Sequence, residues 1–127
     1  MSVKIPVSIG ELFDKVSILE NKAVQIKDTK KLENIRKEYL LLRKLALKLD
    51  QRFEKDTHYK KLKKINQALW DIEEGKRECE RKKDFGSTFV HLARQVYIQN
   101  DNRAKAKRAI NKKYGSDIIE EKSYKKY

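Results

Sequence analysis

The stretch IGELFDKVSILENKAVQI, residues Ile9 to Ile26, decides the fold. Ile9, Leu12, Val16, Leu19, Ala23 and Ile26 recur at alternating intervals of three and four residues, which lines them along one face of a helix as a heptad stripe. Just before it, Ser8 and Glu11 have the spacing of a capping box, in which the hydroxyl takes a free backbone N–H of the first turn. Pro6 disfavours helix in Ile5. The sequence therefore predicts an extended arm over residues 1–8 and a first helix from about Ile9 to Lys27.

Working outward, the same punctuation repeats. Asp28-Thr29 supplies a second cap, and Leu32, Ile35, Tyr39, Leu42, Ala46, Leu49 and Phe53 continue the alternation towards Lys55. Leu40, Leu41 and Leu45 widen this stripe, as a helix with two neighbours requires. Asp56-Thr57 opens a third helix through Leu62, Ile65, Leu69 and Ile72, which meets Lys76 before Cys79. Asp84-Phe85-Gly86-Ser87 breaks the pattern, and Ser87 can cap a fourth helix carrying Phe89, Leu92 and Val96. In register that stripe lands on Asn100, Arg103 and Lys107, then returns to Ile110 and Tyr114 before Gly115, a residue suited to ending a helix. Asp117 to Glu120 is expected to form a short final turn, with residues 115–127 as terminal turn and tail.

These elements predict one all-α domain over residues 1–127, an up-and-down antiparallel bundle of four main helices, since short connections make sequential helices antiparallel. The fourth helix either runs through Asn100–Asn102 or stops at Gln99, with Asp101 capping a fifth. Sustained heptads also suit a homodimer of paired hairpins.

Composition agrees. Charged residues make up 40% of the chain, and there are four glycines and one proline, which leaves little punctuation for loops. The formal net charge of +13 attracts polyanions without choosing among them. A single cysteine excludes an intramolecular disulfide and a thiolate metal cluster. No apolar run approaches the ~20 residues of a membrane span, and no leader pattern is read, so a soluble cytoplasmic protein is expected.

Two stripes lose their apolar character in matching places. The third helix brings Glu73, Lys76 and Arg77 to its buried face, and the fourth brings Asn100, Arg103 and Lys107. Counting from the turn places Arg77 level with Arg94, and Arg103 opposite Asn66 to Leu69. A buried charge needs a partner, for which Glu73 or Glu74 is the obvious carboxylate, with Glu20 of the first helix at the edge. The surplus of cations predicts an anion pocket, for which the guanidinium fork is apt. The alternative is a structural ion-pair network or simply exposed charges.

Other chemistry is thin. His58 and His91 lack the spacing of ligands, and neither Glu-x-x-His nor His-Glu-x-x-His occurs. Glu73, Glu74, Glu78 and Glu80 resemble the Mg²⁺ carboxylates of helical nucleotide pyrophosphohydrolases, but Arg77 stands where the third ligand belongs. No metal site and no cofactor motif is read. Cys79 lies on a stripe and reads as a small core hydrophobe. Lys60, Lys61, Lys63 and Lys64, together with Lys105, Arg108 and Lys112, form phosphate-tracking rows suited to nonspecific nucleic-acid binding, with nothing that reads bases. A membrane-surface helix is not expected, because no Leu-rich face lacks a partner in this reading.

The strings IPVSIGELFDKVSILENKAVQI, INQALWDIEEGKR and ARQVYIQNDNRAKAKRAIN, followed by GSDIIEEKSY, resemble a family of small helical proteins of unknown function from bacteria and some phages. The resemblance runs from Lys4 to Tyr124. The middle string is also similar to a second helical family with an Asn-x-x-Leu-Trp-x-x-Glu-Asp-x-x-Arg core, matched here by Asn66, Leu69, Trp70, Glu73 and Arg77, with Glu74 standing in place of the Asp and keeping its charge. Such proteins are often encoded near sugar transferases, which implies surface-glycan metabolism. The shared polar positions are Glu11, Asp14, Lys15, Glu20, Asn66, Trp70, Glu73, Arg77, Arg94, Asn100, Asp101, Arg103 and Lys107. The expectation is an accessory protein of bacterial or phage glycan metabolism that binds an anionic or sugar ligand at Glu20, Trp70, Glu73, Arg77, Arg94, Asn100, Asp101, Arg103 and Lys107. In an enzyme, Glu73 would be the general base. The alternatives are nonspecific nucleic-acid binding and a structural, partner-binding bundle.

Overall fold

The caps set the element boundaries. In the computed structural model, which describes residues 1–127, Ser8 Oγ accepts from Glu11 N at 3.0 Å and opens α1, Ile9–Gln25. Asp28 accepts from Lys31 N and opens α2, Thr29–Leu49. Asp50 accepts from Arg52 N, and a 3-10 turn at Phe53–Lys55 follows. The second helix thus stops short of the expected Lys55, because the turn swings Phe53 into the core. Asp56 accepts from His58 N and Tyr59 N at the head of α3, Thr57–Lys82. Lys83, with φ at 55°, ends it. The fourth helix, α4, spans Ser87–Tyr114 without a break and closes on Gly115 at φ 65°. It follows Gly86 with no side-chain cap, Ser87 being its first helical residue. Its continuity through Asn100–Asn102 sets aside the split-helix alternative.

The result is an all-α bundle with α1 at its centre. That helix packs on α2, α3 and α4, while α3 and α4 form a long antiparallel hairpin. At about 1.5 Å per residue, α1 is roughly 25 Å long and α3 roughly 39 Å, so the distal half of the hairpin outruns α1. The hairpin closes tightly there: a Cβ on Gly75 would lie 3.0 Å from Leu92 Cδ1.

Phe13, Phe53 and Tyr59 are fully or almost fully buried and stack edge-on or tilted, with Phe13 also against Tyr114. Each such ring contributes about 1.5–3 kcal/mol through burial. Leu12, Val16, Ala46, Leu62, Ile65, Ala106 and Ile110 complete the core. Cys79 is buried, as its stripe position required.

Two further expectations need correction. The short final turn at Asp117–Glu120 does not form. Instead, the segment after Gly115 runs back along α4, because its side chains are taken up elsewhere: Ser116 Oγ accepts from Ile9 N, and Glu120 accepts from Ser8 Oγ at 2.9 Å. Farther on, Lys122 pairs with Asp101, and Tyr127 packs on Tyr97. The second correction concerns α2. It packs chiefly on α1, and Leu40, Leu41, Leu45 and Leu49 stay exposed, at 63%, 62%, 45% and 47%. A leucine-rich face without a partner therefore exists. No helix is long and apolar enough to cross a membrane.

Candidate functional site

The heart of the polar region is a residue the heptad reading passed over. Asp14 is completely buried, on the flank of α1 that faces α3 and α4. Arg103 of α4 grips it as a fork, Nε donating to Oδ1 at 3.0 Å and Nη2 to Oδ2. Asn66 of α3 donates to Asp14 Oδ1 and Ser17 Oγ, both at 2.8 Å. Ser17 Oγ in turn donates to the Asp14 carbonyl. Four side chains from three helices thus satisfy one another, the condition under which a buried ion pair is tolerated. The carboxylate holds the Arg103 guanidinium above its usual range, against the opposing effect of burial.

One turn along, Lys107 bonds Glu11 and Glu120, and Glu11 also meets Lys15. Burial alone would lower the Lys107 ammonium, but Glu11, Asp14 and Glu120 outweigh it and leave it raised. Gly10 is what permits this approach: a Cβ there would sit 2.5 Å from the Lys107 carbonyl oxygen.

Beside the Asp14 network lies an open groove of about 530 Å³. Asn66, Trp70, Glu73, Arg77 and Arg103 line it, with Glu74 at the edge and Ile18 and Leu69 as apolar wall. Trp70 is half-buried. The Glu73 carboxylate accepts from Arg77 and Lys76. Arg77, and then Lys76, hold it below the usual carboxylate range against the cost of burial. It is consequently a strong hydrogen-bond acceptor and a weak proton acceptor.

The structure therefore brings together Trp70, Glu73, Arg77 and Arg103, four of the residues expected from the sequence. It separates the others. Glu20 accepts from Tyr59 Oη and Lys63 Nζ on another side of α1. Arg94 is exposed, Asn100 is half-buried, Asp101 holds the tail through Lys122, and Lys107 serves Glu11 and Glu120. The expected excess of cations is absent, because Arg103 is matched by Asp14, Arg77 and Lys76 by Glu73, and Lys107 by two glutamates. In the basic rows, Lys60, Lys61, Lys64, Lys105, Arg108 and Lys112 are exposed, but Lys63 and Arg108 are held by Glu20 and Glu121.

Ser17, which sequence reasoning missed, had a legible signal. Gly10, Asp14, Ser17 and Asn21 recur at intervals of four, three and four and are all buried, a second stripe written in small and polar residues. Asp56 was read only as a cap, yet it also binds Lys113, and Tyr114 donates to Asp50 at 2.6 Å. Together these contacts clamp the end of α4 to the turn before α3.

Fold and site define a class: an all-α helical bundle braced by a buried Asp–Arg–Asn–Ser network, with an amphipathic groove at its edge. The chain belongs to DUF6165, a family of unknown function whose pattern matches residues 3–127. No curated protein and no solved structure matches it.

Proposed function

We propose that the protein binds a sugar, or a sugar derivative of low charge, in the groove beside the Asp14 network. The observation that supports this reading is the convergence of one half-buried indole with amide, carboxylate and guanidinium groups in a single concavity. An indole offers an apolar face for the C–H face of a pyranose, and planar polar side chains suit its hydroxyls. The balanced charge of the groove favours a neutral or singly charged ligand over a polyanion. Arg103 has N–H groups to spare beyond those given to Asp14, and Glu73 is held ionised as an acceptor. In this reading the buried network is a brace that fixes Arg103 and Asn66 before the ligand arrives, which limits the ordering cost of binding. A carbohydrate ligand also agrees with the surface-glycan setting implied by the resemblance, in which the protein would act as an accessory.

Trp70 is the chain's only tryptophan, so its fluorescence reports on the groove alone. Titration with neutral hexoses, uronic acids, sugar phosphates and nucleotide-sugars should give a saturable emission change for at least one class. That change should be weakened or lost in Arg77→Gln and Glu73→Gln, which remove a charged group of the groove and keep the indole. No change in emission or in the indole N–H resonance for any class at millimolar concentration would defeat the proposal.

A further inference from the structure

The net charge and the exposed leucines meet on one helix, and neither is used by the groove. Between residues 71 and 100, the distal hairpin carries six Lys and Arg against six Asp and Glu, so the surplus of +13 lies entirely in the rest of the chain. Along α2 there are seven cations against two carboxylates. Lys30, Lys37 and Lys44 recur every seven residues and Lys48 follows four later, a spacing that places all four along one ridge. All four are exposed. Leu40 flanks this ridge on one side, and Leu41 and Leu45 on the other, all of them exposed.

A groove of about 440 Å³ lies on the Leu40 flank, lined by Leu40, Arg43, Lys44, Leu47, Lys48 and Gln51. Arg43 gives Nη2 to Glu54 at 2.6 Å, while its Nε is buried and has no hydrogen-bond partner in the protein.

From this arrangement we infer that α2 docks on an anionic lipid bilayer. Lysines meet the phosphates, and the leucines enter the headgroup–acyl boundary. Leucines interleaved with lysines have no use on a nucleic-acid backbone, which calls for cations alone. A second copy is disfavoured because the ridge would meet its own charge. The electroneutral distal hairpin has no such attraction and is left clear of the surface. Juxtaposed lysines each add a favourable electrostatic increment at an anionic leaflet, and inserted leucines add the apolar part.

The experiment is co-sedimentation of the whole chain with vesicles of phosphatidylcholine alone and with a phosphatidylglycerol fraction. Binding is expected only to the anionic vesicles and should weaken with salt. Lys37→Gln/Lys44→Gln/Lys48→Gln should reduce the partition coefficient roughly a hundredfold, and Leu41→Gln/Leu45→Gln by about tenfold or more. Because these side chains are exposed, circular dichroism should show both variants folded. Equal binding to neutral vesicles, no binding to anionic ones, or a leucine variant that binds vesicles like the parent would each overturn the inference. So would a parent that sediments as a dimer which the leucine variant breaks, since a second copy would then own the face. None of these results depends on whether the Trp70 groove takes a sugar.

Discussion

Replacing Arg103 by Met tests the central claim that the Asp14 network braces the bundle. The change keeps the aliphatic bulk of the side chain but removes the fork that holds Asp14, whose side chain is 1% exposed against 29% for Arg103. Asn66 remains as a donor to Oδ1, and Oδ2 loses its partner. Removing one member of a buried pair strands the other in low dielectric, at a cost of about 3–5 kcal/mol. For a domain of this size, that corresponds to a fall in Tm of roughly 12–20 °C. Urea unfolding followed by far-ultraviolet circular dichroism measures it directly. Asp14→Leu/Arg103→Met should recover at least half of the loss, because an apolar replacement of both partners leaves nothing buried and unpaired. Arg77→Met, which removes an exposed pair with Glu73, is the control and should stay within about 0.5 kcal/mol. A loss below about 1 kcal/mol for Arg103→Met would show that the pair behaves as a surface contact and that the bracing argument is wrong.

Other outcomes follow from the same structure. Gly10→Ala should cost about 1–3 kcal/mol by thermal melting, because its methyl would meet the Lys107 carbonyl, a backbone atom that cannot step aside; a neutral result would mean the helices separate freely. Burial raises the Asp56 carboxyl, but Lys113 and two backbone N–H groups outweigh it and hold it below the usual range, as Tyr114 and Arg52 N do for Asp50. Carboxyls lowered in the folded state add stability that is present above about pH 4 and is lost as pH falls through the folded values. The melting temperature should therefore decline steeply below about pH 4 and less steeply in Asp56→Asn, whereas parallel curves would contradict this origin. Deleting residues 116–127 frees Ile9 N and Ser8 Oγ and should speed hydrogen exchange at the start of α1 by about tenfold, at roughly 1 kcal/mol per lost bond; unchanged protection would mean the tail is not part of the cap.

The apolar frame was legible because hydropathy alternates at helical spacing, and α1 and the caps at Ser8, Asp28 and Asp56 follow from that, whereas the lapse of the stripe at Asn100 left a break before Asp101 as open as a continuous helix. Matching Arg103 to Asn66 by counting from the turn also succeeded, since a hairpin has one free parameter. The identity of the carboxylate did not follow. Counting within a hairpin finds partners only on its other arm, and Asp14 comes from a third helix 89 residues away. The stripe of Gly10, Asp14, Ser17 and Asn21 carries no hydropathy, so it stayed silent although every member is buried. Leu40, Leu41 and Leu45 show the opposite failure. Hydropathy records that a face avoids water, not whether its cover comes from the same chain.

The junction at the head of α1 bears on the order in which the protein can be made. Asp14, Glu11, Gly10, Ile9 and Ser8 leave the ribosome well before their partners Arg103, Lys107, Asn111, Ser116 and Glu120. The earliest helix is therefore completed only after all the others have been synthesised. A nascent chain stalled before Arg103 should hold Asp14 without its cation and leave α1 open to proteases, and protection should arrive abruptly once Glu120 has emerged.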